Sequence, residues 1–353
     1  YPGARLTQNM LSRIIFSSIT VHPGGLINHS DNRNTSTRRY VVNLKALNDF
    51  TLMAGSSITV DGLGYSGGYG PGKGAIDSYI GPGAGHGGQG GESYFGTAGG
   101  EAYDSLANPT DLGSGGGGSG SIGASGGGAV ILAAGGTMRL DGRISANAGG
   151  CSGAYCGGGA GGSISINSEN LLGTGILQAN GGGGTPYGGG GGGGRIAVNT
   201  FESNNSSLTA TAISASGKTN FGTWYAGAGT VYVNDGGAAR LTVSNGANPA
   251  AYQTTISSAI AGTQALAIST LSLTNSRLAF DNNVGIMVSS VSFASGTNVL
   301  TVGSMAVHGG LTMPNNASLI QNSTETLVFT GSVVMKAGSK FAHTANSAER
   351  SAV

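Results

Sequence analysis

A short alternating strand, a turn and a second strand recur every 32 to 35 residues, and this repeat limits the possible folds more than any other feature of the chain. Ala129-Val130-Ile131-Leu132-Ala133 matches Ser163-Ile164-Ser165-Ile166-Asn167, Arg195-Ile196-Ala197-Val198-Asn199 and Thr230-Val231-Tyr232-Val233-Asn234, at successive steps of 34, 32 and 35 residues. Three of the four units open after Gly-Gly (Gly127-Gly128, Gly161-Gly162, Gly193-Gly194) and the fourth after Ala228-Gly229. An earlier copy is read at residues 50–62, which align without a gap on residues 130–142. One such unit cannot close a core, so the period predicts stacked units: an all-β, parallel β-solenoid (β-helix) rather than a globular enzyme.

Each strand alternates apolar with small or polar residues, so one face is buried. Stacking places Val130, Ile164, Ile196 and Val231 in one apolar ladder, and Asn167, Asn199 and Asn234 in another row. Those asparagines are read either as an inward ladder that satisfies its own amides or as turn-forming strand ends. Between the strand pairs lie glycine-rich excursions at roughly residues 64–127, 148–162, 181–194 and 217–229, including a run of seven glycines at 188–194. Composition alone describes a flexible linker. Recurrence in phase with the strands points instead to packed polyglycine II helices, three residues per turn, that approach closely because they lack side chains.

Past residue 240 the composition changes: residues 262–353 hold 8 of the 70 glycines. Leu271-Ser272-Leu273, Val291-Ser292-Phe293, Met305-Ala306-Val307 and Val333-Val334-Met335 read as short strands followed by turns, which continue the solenoid axis. Three regions follow: residues 1–39, an arginine-bearing cap or docking arm; 40–240, the glycine-rich repeats; and 241–353, a Ser/Thr/Val-rich continuation.

Charge and cysteine content narrow the function. Only 9% of residues are charged and the net charge is +1, so a nucleic-acid partner is not expected. No apolar stretch reaches the roughly 18 residues a membrane-spanning helix needs, and the start at Tyr1 reads as a processed form. Cys151 and Cys156 bracket a short loop and read as a disulfide, with free thiols as the alternative. Asn-x-Ser/Thr sequons at Asn28, Asn34, Asn204, Asn205, Asn316 and Asn322 are candidate N-glycosylation sites and add to an extracellular reading.

Catalytic and cofactor patterns are weak, and no cofactor or metal is expected. Residues 67–74 have the spacing of a phosphate loop, but Gly74 stands where Ser or Thr must meet magnesium. Gly85-His86-Gly87 is similar to the Gly-His-Gly of β-helical polygalacturonases, without that family's other motifs or an adjacent aspartate pair. His22, His29, His86, His308 and His343 lack metal-ligand spacing and read as surface or turn residues. Asp61 and Asp141 occupy equivalent Asp-Gly turns.

The pattern Gly-Gly-[Ala/Ser]-[Val/Ile]-x-[Leu/Ile], then Gly-x-Ile-Ser-Ala-Asn-x-Gly-Gly at 142–150, then Arg195-Ile196-Ala197-Val198, resembles glycine-rich repeats of large secreted and cell-surface proteins. Similar segments occur in bacterial surface proteins and in flagellar-hair (mastigoneme) proteins of protists. The glycine runs also resemble polyglycine-helix domains of phage tail adhesins and of one animal receptor-kinase ectodomain family. The resemblance covers about residues 50–234 and implies an extracellular, rigid, non-catalytic module.

The leading expectation is therefore a structural subunit of an extracellular filament or surface appendage that assembles with copies of itself. The alternative is an adhesin or glycan-binding module, with Tyr65, Tyr69, Tyr79, Tyr94, Tyr155 and Tyr187 forming a recognition face on the excursions, unless they pack the glycine segments. A polysaccharide-active β-helix enzyme stands third.

Overall fold

The computed structural model describes residues 3–32, 36–76, 79–118, 123–151, 155–202, 213–218, 225–249 and 251–344. It is an all-β fold in which nearly every strand pairing is parallel. The first sixteen strands come in successive rounds. β1 (Arg5–Gln8) is the outermost strand of its sheet; the first complete round holds β2 (Ile14–Phe16), β3 (Ile19–Val21) and β4 (Leu26–His29), and the next holds β5 (Val42–Ala46), β6 (Phe50–Leu52) and β7 (Ser57–Thr59). Then come β8 (Ala129–Ala134), β9 (Thr137–Leu140) and β10 (Arg143–Ser145); β11 (Ser163–Ser168), β12 (Asn170–Leu172) and β13 (Ile176–Gln178); β14 (Arg195–Thr200) and β15 (Ile213–Ser214); and β16 (Thr230–Asp235).

Each complete round gives one strand to each of three sheets, ordered β2-β5-β8-β11-β14-β16, β3-β6-β9-β12 and β1-β4-β7-β10-β13-β15. Residues 5–29 form the outermost described strands of the same sheets. The expected apolar ladder is present: Val130 pairs with Ile164, Ile164 with Ile196 and Ile196 with Val231. The first three of these are fully buried, in one core with Phe50, Leu52, Met138 and Leu140. Alternation supplies the inward row, and stacking buries it on both sides, at about 1.5–3 kcal/mol for each large aliphatic side chain.

Two sequence readings change in detail. Residues 50–62 do not stack on 130–142: Val42 pairs with Val130 and Phe50 with Met138. Every round carries several strands of the same apolar-x-apolar form, so the ungapped match fell one strand out of phase. The asparagine row also exists, with Asn167 opposite Asn199 and Asn199 opposite Asn234. It lies on the outer face of the sheet, half-buried, where Asn199 Nδ2 donates to Asn167 Oδ1 (3.3 Å) and to the Ala107 carbonyl (3.0 Å).

A second side-chain ladder runs along the ends of the β7–β10–β13 strands. Asp61 Oδ1 accepts from the Asn147 N–H (2.6 Å), Asn147 Oδ1 from the Asn180 N–H (2.9 Å), and Asn180 Oδ1 from the Ser216 N–H (2.9 Å). The Asp61 side chain thus ties one round to the next, while the turn itself is made by Gly62 at φ 67°.

Beyond Asp235 the chain reverses through Gly236-Gly237 into β17 (Ala238–Ser244), the one antiparallel pairing among the described strands. It continues through β18 (Gln253–Ile256), a short helix α1 (Ser258–Ala261), β19 (Ala265–Thr274), β20 (Arg277–Phe280), β21 (Gly285–Phe293) and β22 (Asn298–Val302). The last strands are β23 (Ser304–Val307), β24 (Leu311–Met313), β25 (Ala317–Gln321), β26 (Leu327–Phe329), β27 (Val333–Met335) and β28 (Lys340–His343). β17, β19, β21, β23 and β26 extend the large sheet to 11 strands, and β18-β20-β22-β25-β28 form a second sheet facing it. The composition change near residue 240 falls at this reversal. A separate apolar core, including Leu271, Phe280, Leu300 and Leu319, fills the second half.

The glycine-rich excursions leave between β7 and β8, β10 and β11, β13 and β14, and β15 and β16. Their backbones hydrogen-bond to one another. Gly81 and Ala84 donate to Tyr155 and Gly158, Gly158 and Gly161 to Gly189 and Gly192, and Gly189 and Gly192 back to Gly81 and Ala84, all at 2.7–3.0 Å. A second closed set links Gly113 and Gly116 to Gly127 and Ala124, those two to Ala160 and Gly157, and these to Ser114 and Gly117. In every case donors to one neighbour lie three residues apart. The spacing between segments admits no side chain: a Cβ on Gly83 would sit 1.8 Å from the Gly190 carbonyl oxygen, and one on Gly191 1.8 Å from that of Gly159.

Candidate interaction surfaces

Three places in the fold gather residues with chemistry beyond strand packing. The first is buried, where the glycine block meets the large sheet. Arg195, the first residue of β14, is fully buried; its Nε donates to the Tyr103 carbonyl (2.6 Å) and one terminal nitrogen to Thr230 Oγ1 (3.0 Å). Asp104 accepts from the N–H groups of Ser105 (2.8 Å), Thr110 (2.9 Å) and Asp111 (2.8 Å) and from Ser163 Oγ (3.2 Å). His86 donates through Nδ1 to the Gly161 carbonyl (2.7 Å), and its Nε2 lies 3.5 Å from Asp104 Oδ2, an electrostatic contact longer than a well-formed hydrogen bond. Its ring packs on Tyr103 at 4.6 Å between centroids.

Burial alone would push the Asp104 carboxyl up, but His86 and the N–H groups of Asp111 and Ser105 together hold it well below the usual carboxylate range. Burial pushes the Arg195 guanidinium down to about 10, opposed by Asp104, and raises the Tyr103 phenol. The excursion carrying His86 and Asp104 is thereby bolted to the sheet through Arg195. His29 is also buried: Nδ1 meets the Ser30 carbonyl (2.7 Å) and Nε2 accepts from the Ala129 N–H (3.3 Å), with desolvation lowering its pKa to about 4. The expectation of surface or turn histidines therefore fails at His29 and His86 and holds at the exposed His22, His308 and His343. Without an aligned neighbour, sequence offers no signal that a histidine between glycines is covered by a second excursion.

The second place is the outer end of the glycine block. Tyr79, Tyr155, Tyr187, Tyr94 and Phe95 form one continuous row of rings. Centroid distances are 5.1 Å for Tyr79–Tyr155, 6.1 Å for the stacked Tyr155–Tyr187, 5.2 Å for Tyr187–Tyr94 and 5.3 Å for Tyr94–Phe95, the last two edge-on. Such separations fall in the range where aromatic pairs attract. Tyr79 is 66% exposed and Phe95 68%. Cys151 and Cys156 are joined as a disulfide, Cα atoms 6.4 Å apart, at the base of the loop that presents Tyr155. Four of the six tyrosines expected on a recognition face thus meet. Tyr65 does not: it is buried, and its hydroxyl donates to Asp111 Oδ1 (3.0 Å), with burial and that carboxylate raising the phenol's pKa. Tyr69 is exposed elsewhere on the same excursion. Phe95 completes the row, a position that no tyrosine pattern in the sequence marks.

The third place is the pair of outer rounds. At one end Leu6 and Phe16 continue the inward rows of Ile27 and Ala46, yet are each 38% exposed. They edge an open recess of about 340 Å³ lined also by Ile19, Val21 and Leu44. At the other end Val333 and Met335 stack on the fully buried Leu311 and Met313, and Phe341 on Leu319, but they remain 44%, 47% and 49% exposed.

The remaining candidates are placed as follows. Asn28 lies on β4, 7% exposed, accepting from Thr7 Oγ1 (2.7 Å). Asn316 is exposed in a turn at φ 65°, and Asn322 is half-buried after β25. Asn34, Asn204 and Asn205 lie outside the described residues. The phosphate-loop spacing at 67–74 forms no cradle, since the N–H groups of Gly68, Gly72 and Gly74 are taken by Gly116, Ser114 and Gly115. Among the described residues no group of three or more His, Cys, Asp or Glu is placed to hold a metal, and no helix is long and apolar enough to cross a membrane. Compared with known proteins, the chain matches no family model, no curated protein and no solved structure.

Proposed function

We propose that this chain is a non-catalytic structural subunit of an extracellular filament or surface appendage. On this reading its strand rounds form a parallel β-solenoid, and its excursions form a bundle of polyglycine II helices. The three-residue spacing of the donors and the closed hydrogen-bond rings support the glycine-helix reading, because that helix turns every three residues and has no bonds of its own. The observation that carries the assembly is the state of the two outer rounds. Among the described residues, β1–β3 and β26–β28 each keep an unpaired edge beside partly exposed apolar side chains (Leu6 and Phe16; Val333, Met335 and Phe341), a surface on which the strands of another copy can continue the stack. Contacts between unlike ends that continue one stacking axis do not close into a ring and propagate as a fibre. The disulfide and the exposed sequon at Asn316 support an oxidising, extracellular setting.

Sedimentation velocity over a rising concentration series, followed by negative-stain electron microscopy, tests this. Growing species with a uniform axial repeat are expected, reduced by Phe16→Asp at one end and equally by Phe341→Asp at the other. A monodisperse monomer at the highest concentration, or growth indifferent to both substitutions, would overturn it.

A further inference from the structure

We infer that the aromatic row at the outer end of the glycine block is a binding site for an uncharged oligosaccharide. The inference is independent of end-to-end assembly and rests on three features of the row.

The first is how the rings are held. Tyr155 and Tyr187 occupy the left-handed backbone region, at φ 67° and 77°, which costs a residue with a side chain about 1–2 kcal/mol and glycine almost nothing. They stand in segments where glycine is the commonest residue, so the chain accepts this cost to place two large rings there. The Tyr94 N–H donates to the Tyr187 carbonyl (2.8 Å), and the disulfide closes the loop beneath Tyr155. These links tie together the segments carrying Tyr94, Tyr187 and Tyr155, which lowers the ordering cost of binding.

The second is charge. Residues 79–100, 155–162 and 181–194 contain one acidic or basic side chain besides the buried His86, namely Glu92, which adds to burial in raising the Tyr252 phenol. Among these described segments the aromatic rings far outnumber charged side chains, which favours a neutral ligand. Phenol rings offer faces of negative potential and hydroxyl groups that both donate and accept. A pyranose ring is the complement: its axial C–H groups carry partial positive charge and stack on those faces, while its hydroxyls reach the phenols.

The third is size. The exposed parts of the five rings amount to about 400–500 Å², the scale of a functional patch on a monomer. That is well below the roughly 800 Å² that each partner buries in a stable protein interface. A small ligand two to four sugar rings long matches it.

The test is titration of the purified chain with cellohexaose, chitohexaose and α-1,6-mannohexaose by calorimetry, with an alginate hexamer and phosphatidylcholine vesicles as comparisons. Saturable binding of at least one neutral saccharide is expected. Tyr79→Ala and Tyr94→Ala should each weaken it about tenfold, the scale of losing one stacked ring. Tyr79→Phe and Tyr94→Phe, which keep the face, should retain more of it, with the unfolding midpoint unchanged in all four variants. Absence of saturable binding to every neutral saccharide overturns the inference. So does binding that the alanine variants leave intact, or binding confined to the alginate or to the vesicles.

Discussion

Replacing Gly83 by alanine is expected to destabilise the glycine block by about 2–5 kcal/mol, far more than one methyl group usually does. The added Cβ would lie 1.8 Å from the Gly190 oxygen, where side-chain contacts under 3.0 Å do not occur, so the two segments must part by at least 1.2 Å, the difference. Both are held on their other sides and cannot move alone. The bonds nearest the overlap are Gly83 to Gly91 (2.8 Å), Gly91 to Gly190 (2.8 Å), Gly100 to Gly83 (2.9 Å) and Gly189 to Gly81 (3.0 Å). A further 1.2 Å breaks bonds of this length, and each contributes about 0.5–1.5 kcal/mol. Alanine returns about 0.4–1 kcal/mol by stiffening the unfolded chain. Gly150 provides the control, being exposed with nothing within 4 Å of its Cβ position. Gly150→Ala should be neutral or slightly stabilising. Urea unfolding followed by circular dichroism, with both variants beside the parent chain, measures the contrast. Equal midpoints for Gly83→Ala and Gly150→Ala would refute close backbone packing as the source of order in the block.

Other perturbations give equally definite outcomes. His29 is held neutral in the fold at a pKa of about 4 against an ordinary 6.5, so between those values the unfolded chain binds a proton that the fold excludes. Stability should fall as pH drops from 6.5 to 4, by up to about 3 kcal/mol, and His29→Gln should flatten that dependence in urea titrations across the window. Arg195→Met removes the donors to the Tyr103 carbonyl and Thr230 Oγ1 and leaves that buried carbonyl without its side-chain partner, which should cost about 1–3 kcal/mol in urea unfolding. Cys151→Ser/Cys156→Ser should lose about 2 kcal/mol, the loop-closure value for so short a ring, and should raise hydrogen exchange around Tyr155 while leaving the β11 and β14 strands protected.

The strand rounds were legible in the sequence because alternation and the 32-to-35-residue period report burial directly, and the register of Val130, Ile164, Ile196 and Val231 followed from the repeat. Local pattern does not distinguish one strand of a round from the next, which is why residues 50–62 were matched to the wrong partner. Contacts between excursions were not legible, since glycine carries no side chain to record a neighbour. His86, Asp104 and Arg195 meet across 109 positions of sequence with no spacing that announces it, although buried charges in a chain with 9% charged residues deserve suspicion. The aromatic row was half legible: tyrosines among glycines pointed to a surface, and only the fold separates the four that meet from Tyr65, which is buried.

The central claim is that the glycine runs are an ordered platform fixed to stacked strands. Amide hydrogen exchange of residues 188–194, read by nuclear magnetic resonance against residues 195–200 of β14, tests it most directly. The account predicts protection of Gly189, Gly191 and Gly192, whose N–H groups donate to Gly81, Gly182 and Ala84, at a level comparable to the neighbouring strand. Exchange of these three amides at the rate of a free chain, while the strand stays protected, would contradict it.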